Sequence, residues 1–304
     1  MHVAILGAGA LGTVYGARLA LFGGCEVSVI ARSPGPSRRV RLERVENGDV
    51  TLWEMPARVD RAPRRADVVL ACVRYEQLDA ISARLEGGSA PVVVLTPMML
   101  QDHARLSAAL PGRVRAGMPS VVSYENDARA VRYWLPRMAT TLIESPGDAG
   151  PEPELVRRLE RAEIGARTHD DVLERNVATT VSFIPIAMAL DVAGSIDGVL
   201  QDEELLTLAL DAADEGRELG RAVGKAEAWA ALLLRFVGPF TFKVGIGIAR
   251  SRAQEAVRYV EQHFGRKLHA QNVAMAARIV DLAKEKGTRH DALDGLLARL
   301  RATG

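Results

Sequence analysis

Three glycines near the start of the chain have the spacing of a phosphate-binding turn. Gly7-Ala8-Gly9-Ala10-Leu11-Gly12 follows directly on the apolar run Met1 to Leu6 and passes into Thr13 to Leu21, whose apolar residues recur with helical spacing. In such a strand-turn-helix the first glycine permits the tight turn and the second lets a pyrophosphate approach bare backbone. The third lets the helix lie close to the sheet. The helix start offers unpaired N–H groups and a partial positive charge to phosphate. Residues 25–31 alternate as a second strand and complete a β-α-β unit of roughly thirty residues. The turn from Gly7 to Gly12 is therefore the candidate dinucleotide site.

The second strand ends on the residue that sets the cofactor. A carboxylate there accepts from the ribose 2′-OH of NAD, whereas an arginine pairs with the 2′-phosphate of NADP. This chain has Arg32, followed by Ser33, Arg38 and Arg39, which predicts NADP(H). A second cation, Arg74, follows the apolar, β-branched run 67–73, at the carboxyl end where open α/β sheets bind ligands. Arg74 either contacts a phosphate or substrate carboxylate or remains a surface cation, and Tyr75 is read as packing. Cys25 and Cys72 lie in apolar strand-like segments and read as buried, reduced thiols without metal-ligand spacing. Met98 and Met99, at the end of the next strand, either pack in the core or line an apolar substrate pocket.

These residues need a scaffold, and 304 residues are enough for two domains. A composition of 48% hydrophobic and 25% charged residues is that of an ordinary globular protein, and a net charge of +1 makes no electrostatic case for nucleic acid or membrane. No apolar run of bilayer length and no basic-then-apolar leader is visible, so a cytoplasmic location is expected. A helix over 77–85, a strand over 91–95, a helix over 101–109 and strand-like stretches over 116–124, 131–134 and 140–144 continue the alternation. The arginine-rich stretch 38–65 is ambiguous, with 50–53 and 57–59 as short strands. Pro146, Gly147, Gly150, Pro151 and Pro153 break the pattern. We therefore expect an α/β, Rossmann-type doubly wound sheet over 1–150 and an all-helical domain over 151–304 for substrate binding and homodimer contacts. Its helices are predicted over 154–162, 170–190 with Pro185 inside, 203–223, 227–237, 253–263, 269–286 and 291–300.

With these residues in view, the chain resembles the ketopantoate reductase (2-dehydropantoate 2-reductase) family. The likeness rests on Ile5-Leu6-Gly7-Ala8-Gly9-Ala10-Leu11-Gly12, Tyr15-Gly16, the strand end at Arg32, the strand end Val73-Arg74, and a helical second domain entered by a long helix with an internal proline. The resemblance implies NADPH-dependent reduction of the keto group of a 2-keto acid. It also implies a lysine on the long helix that protonates the developing alkoxide, with two asparagines that position substrate. Counting back from Pro185, the lysine position holds Asn176 and the asparagine positions hold Thr180 and Ile184. The family's lysine after the third strand is Arg74 here, and its Asn-Gly after the next strand is Thr96-Pro97.

Hydride transfer to a carbonyl leaves an alkoxide, and a positioned acid is worth about 10²–10⁴-fold in rate. Asn176 and Thr180 donate hydrogen bonds and orient a carbonyl but deliver no net proton at neutral pH. Lys243 is the first candidate for that role, since burial among its apolar neighbours would favour a neutral amine; the alternative is a snorkelling surface lysine. His263 and Lys267, about one helical turn apart, and His169 and Tyr124 follow it, with His263 read first as a structural or capping residue. The expected activity is an NADP(H)-dependent oxidoreductase acting on a small carbonyl (2-keto acid type) or imine. The rival expectation is a sensor or scaffold that keeps NADP and performs no turnover.

Overall fold

The computed structural model describes residues 1–126, 128–136, 139–145, 150–223, 246 and 268–303. The chain forms two compact units, Met1–Leu173 and Glu174–Gly304. The helices expected over 227–237 and 253–263 lie outside the described residues.

Unit 1 is built on two sheets. The strands are β1 (His2–Leu6), β2 (Glu26–Ile30), β3 (Arg38–Arg44), β4 (Val50–Met55), β5 (Arg58–Val59), β6 (Val68–Ala71), β7 (Val92–Val94), β8 (Val114–Met118), β9 (Val122–Glu125), β10 (Val131–Trp134), β11 (Thr141–Glu144) and β12 (Ala166–His169). The large sheet runs β12-β11-β8-β7-β6-β1-β2-β5. Its β1, β6 and β7 are buried along their whole length, as expected of apolar runs with both faces covered. From β5 to β8 all neighbours are parallel, and the order reverses between β1 and β6, which is the switch point where open α/β sheets hold ligands. The antiparallel β11 and its parallel partner β12 complete the far edge.

The second sheet, β4-β3-β10-β9, is new relative to the sequence reading. In β3 only Val40 and Leu42 point inward, while Arg39 and Arg41 pair with Glu54 and Glu43 on the exposed face. Helix α1 (Ala10–Leu21) packs against β1 and β2 of the large sheet and β4, β9 and β10 of the small one. A helix covered on several sides needs apolar or small residues around its circumference, and Gly12 through Leu19 are all buried. The buried Tyr15 hydroxyl meets Thr141 Oγ1 at 2.7 Å.

Two expectations require correction. The first unit does not end at the proline-glycine cluster: α3 (Glu152–Arg161) and β12 belong to it, and β12 pairs with β11. The segment predicted as a helix over 77–85 forms short 3₁₀ helices at Tyr75–Ala80 and Ser82–Arg84, which turn Leu78, Ile81 and Leu85 into the core. Helix α2 (Leu100–Ala109) follows β7 as read.

Unit 2 contains α4 (Val172–Ala193, whose first two residues lie in unit 1), α5 (Ile196–Gln201), α6 (Glu203–Ala222), α7 (His269–Lys286) and α8 (Asp291–Ala302). Helix α4 is long and apolar enough to cross a bilayer, but 72% of that window is buried inside the protein, so packing accounts for its composition. Pro185 stands inside α4. A proline has no N–H for the carbonyl four residues back, here that of Val181. Helix α6 fills the gap with backbone: a Cβ on Gly216 would stand 2.0 Å from Val181 O. Its neighbour Glu215, 5% exposed, accepts from Ala292 N at 3.1 Å and Leu293 N at 2.9 Å, capping the start of α8.

Candidate active site

A cleft of about 520 Å³ opens at the switch point between β1 and β6, lined among others by Gly7, Ala8, Gly9, Arg32, Cys72 and Arg74. Each glycine of the turn answers a different constraint. Gly7 has φ +108°, and a Cβ there would stand 2.5 Å from Cys72 O, so only glycine takes this position without strain. Gly12 lies against the turn itself, where a Cβ would stand 2.0 Å from Gly7 O. Gly9 is the opposite case: nothing lies within 4 Å of a Cβ built on it. Gly9 is also the N-cap of α1, with no side-chain hydrogen bond to the first turn. Open space therefore faces the donors of a helix N-terminus, and this fits a pyrophosphate. Ala10, Leu11 and Gly12 form the first turn of α1 and do not themselves line the cleft.

The rim of the cleft is cationic. Arg32 is exposed at the end of β2, and its loop is tied back by a two-way backbone bridge between Gly35 and Arg58, at 3.2 and 2.8 Å. Arg74 is exposed after β6 and has Glu76 at 4.0 Å. The loop beneath Arg74 is fastened by the buried Thr96, whose hydroxyl donates to Val73 O. Burial pushes the Cys72 thiol up to about 12, so it remains protonated and is no nucleophile at neutral pH. Met98 and Met99 are fully buried and pack in the core, which closes the reading that they line a pocket. Tyr75 is buried and donates to Asp102 at 2.6 Å, as packing predicts.

The remaining candidates are dispersed. Tyr124 stacks on Trp134 in the small sheet with ring centroids 5.9 Å apart, and its hydroxyl receives a hydrogen bond from Arg132 at 3.2 Å. His169 ends β12, five strands from β1 in the large sheet, and faces Asp171 at 2.6 Å. At about 4.8 Å per strand it is over 20 Å from the glycine turn. Neither residue lines the cleft. In unit 2, Asn176 and Thr180 lie one turn apart on a buried face of α4, and the Thr180 hydroxyl donates to Asn176 Oδ1 at 3.3 Å. Ile184 is buried one turn further on. Lys243, His263 and Lys267 lie outside the described residues. The five lysines of the chain all fall at or after Lys225, so neither α4 nor the whole first unit contains one. Among the described residues no group of three or more His, Cys, Asp or Glu side chains forms a metal site.

Residues 3–120, which hold the cleft and both arginines, match the family model described as Ketopantoate reductase PanE/ApbA. Over this domain the chain is similar to the ketopantoate reductase family. Members of the family are NAD(P)-dependent oxidoreductases. The PanE/ApbA family ketopantoate reductase of Ralstonia eutropha JMP134 has the same fold, with TM-score 0.75 and 22% identity over 100% of this chain and 98% of that one. So does a D-mandelate dehydrogenase solved with NADH and anilino(oxo)acetate, with TM-score 0.68 and 14% identity over 100% and 98% of the two chains. A glycerol-3-phosphate dehydrogenase [NAD(P)+] of Gluconobacter oxydans (strain 621H) is 32% identical over 143 residues. That match spans 46% of this chain and 43% of the relative, less than half the relative's length.

Proposed function

We propose that the protein is an NADP(H)-dependent oxidoreductase of ketopantoate-reductase type that reduces a carbonyl of a 2-keto acid, or an imine, other than ketopantoate. The observation that carries this reading is the cleft at the switch point, where open space before Gly9 meets the exposed Arg32. The nicotinamide supplies a hydride when bound. The chain's own residues do the rest: the turn from Gly7 to Gly12 receives the pyrophosphate, Arg32 the 2′-phosphate, and Arg74 a phosphate or substrate carboxylate.

Asn176 and Thr180 take the orienting role on α4. Thr180 donates to the carboxamide oxygen of Asn176, which fixes the amide plane for orienting a substrate carbonyl oxygen. A carboxamide polarises that oxygen without transferring a proton, so in this reading Lys243 protonates the alkoxide. Ile184 where the family carries an asparagine, beside Thr180, favours a bulkier or less polar substrate than ketopantoate.

NADPH oxidation across a panel of ketopantoate, aryl and branched 2-keto acids and cyclic imines tests the reading. Turnover is expected with a bulkier member, lost in Lys243→Met while NADPH binding persists. Arg32→Asp is expected to weaken NADPH binding at least tenfold more than NADH binding. Ordinary enzyme rates on ketopantoate would refute the substrate assignment, and tight NADPH binding with no turnover anywhere would make the protein a sensor.

A further inference from the structure

The cofactor end of the cleft holds another arginine that the reading above does not use. Arg84 ends the 3₁₀ helix Ser82–Arg84 and lines the same cleft as Arg32. Its Nη1 donates to Ala31 O and to Asp60 O, both at 3.2 Å. These carbonyls belong to the residues just beyond β2 and β5, so one guanidinium nitrogen is anchored to two strand ends at once. The main chain holds the same residue from the other side, since Ala62 N donates to Arg84 O at 3.0 Å. Arg84 is half-buried, in contrast to the exposed Arg32 one residue beyond Ala31.

Charge makes this arrangement informative. Some exposed arginines of this domain find carboxylates, as Arg39 does with Glu54 and Arg65 with Glu26. Among the described residues neither Arg32 nor Arg84 has a carboxylate partner. Two unneutralised guanidinium groups on one cleft repel one another unless an anion joins them. A guanidinium has five N–H donors in a fixed plane, and the two bonds to Ala31 and Asp60 use only Nη1, leaving Nε and Nη2 for a ligand.

We propose that Arg84 is a second, pre-organised ligand for the ribose 2′-phosphate, which it brackets with Arg32. The inference rests on the NADP(H) reading above and extends it. Arg84 sets where the phosphate sits because its own position is set by the two strand ends, and Arg32 closes on the same dianion from the exposed loop. Arg84 thereby links cofactor choice to the packing of β2 against β5.

Calorimetric titration of the full chain with NADPH, NADH and 2′-AMP tests this without turnover. Arg84→Gln is expected to weaken NADPH and 2′-AMP binding about tenfold or more while leaving NADH within about twofold, the loss of a charge-assisted bond to phosphate. Arg84→Lys, which keeps the charge but not the double anchor, is expected to retain part of the preference. Equal weakening of NADH and NADPH in Arg84→Gln would reduce Arg84 to a structural brace and overturn the proposal. So would a preference abolished by Arg32→Gln alone and untouched by either Arg84 variant; in that case the NADP(H) reading survives. A wild-type protein that binds NADH as tightly as NADPH overturns both.

Discussion

Placing alanine at Gly9 and at Gly12 in turn separates binding from folding within a single turn. At Gly9 the backbone has φ −77°, open to any residue, and nothing lies within 4 Å of the new Cβ. The folding cost is that of alanine at an N-cap, about 0.5–1 kcal/mol. In a domain of this size this lowers the thermal midpoint by about 1–4 °C. The methyl nevertheless occupies the space before the helix N-terminus. Losing one charge-assisted bond from backbone N–H to pyrophosphate costs about 1.5–3 kcal/mol, or about 10–150-fold in affinity. At Gly12 the new Cβ stands 2.0 Å from Gly7 O and 2.9 Å from Ile5 Cγ2, so the turn must shift. Overpacking against backbone costs about 3 kcal/mol, which lowers the midpoint by about 6–12 °C. Circular-dichroism melts and NADPH fluorescence titrations measure both quantities. The reasoning fails if Gly9→Ala binds NADPH within twofold of wild type, or if it melts as low as Gly12→Ala.

Other outcomes follow from burial and packing. Burial raises the Cys72 thiol to about 12, above the unfolded value of about 8.5. Below that unfolded value its contribution to stability is complete; above it the unfolded thiol ionises first, so stability declines as pH rises toward 12. Melts between pH 8 and 11 should fall less steeply in Cys72→Ala than in wild type, and identical slopes would remove Cys72 from the account. In unit 2, Gly216→Ala puts a Cβ 2.0 Å from Val181 O, and should destabilise by about 2–3 kcal/mol in urea denaturation. A neutral effect there would mean that α4 and α6 move apart freely.

Much of the nucleotide domain was legible because its signals are local. The runs forming β1, β6 and β7 are apolar throughout, as buried parallel strands must be. In unit 2, α7 likewise lies where its periodicity predicts, at His269–Lys286. The small sheet was missed because β3 carries four arginines among its seven residues and points only two apolar side chains inward. One signal could have found it: Asn47-Gly48, with Gly48 at φ +73°, stands between two alternating runs, a recognised hairpin cue. Strand β12 was hidden for a different reason. As an edge strand it buries only Ala166 of four residues, so its text looks like loop.

The glycine spacing and Arg32 could be read from the linear text because the backbone of a tight turn is governed by sterics within a few residues, as the φ of +108° at Gly7 illustrates. Which of those glycines faces open space is not written locally. Strand order decided that, by bringing Cys72 against Gly7 and Gly12 while leaving Gly9 clear. The same applies to Arg84, which meets Ala31 and Asp60 across 53 and 24 residues of chain, and to Thr141, which meets Tyr15 across 126. Hydrogen bonds between such distant residues exist only after the sheet has assembled, so composition and periodicity carry no trace of them. The amino-acid sequence by itself determined the nucleotide turn and the arginine at its rim; the tertiary structure decided which groups stand together around it.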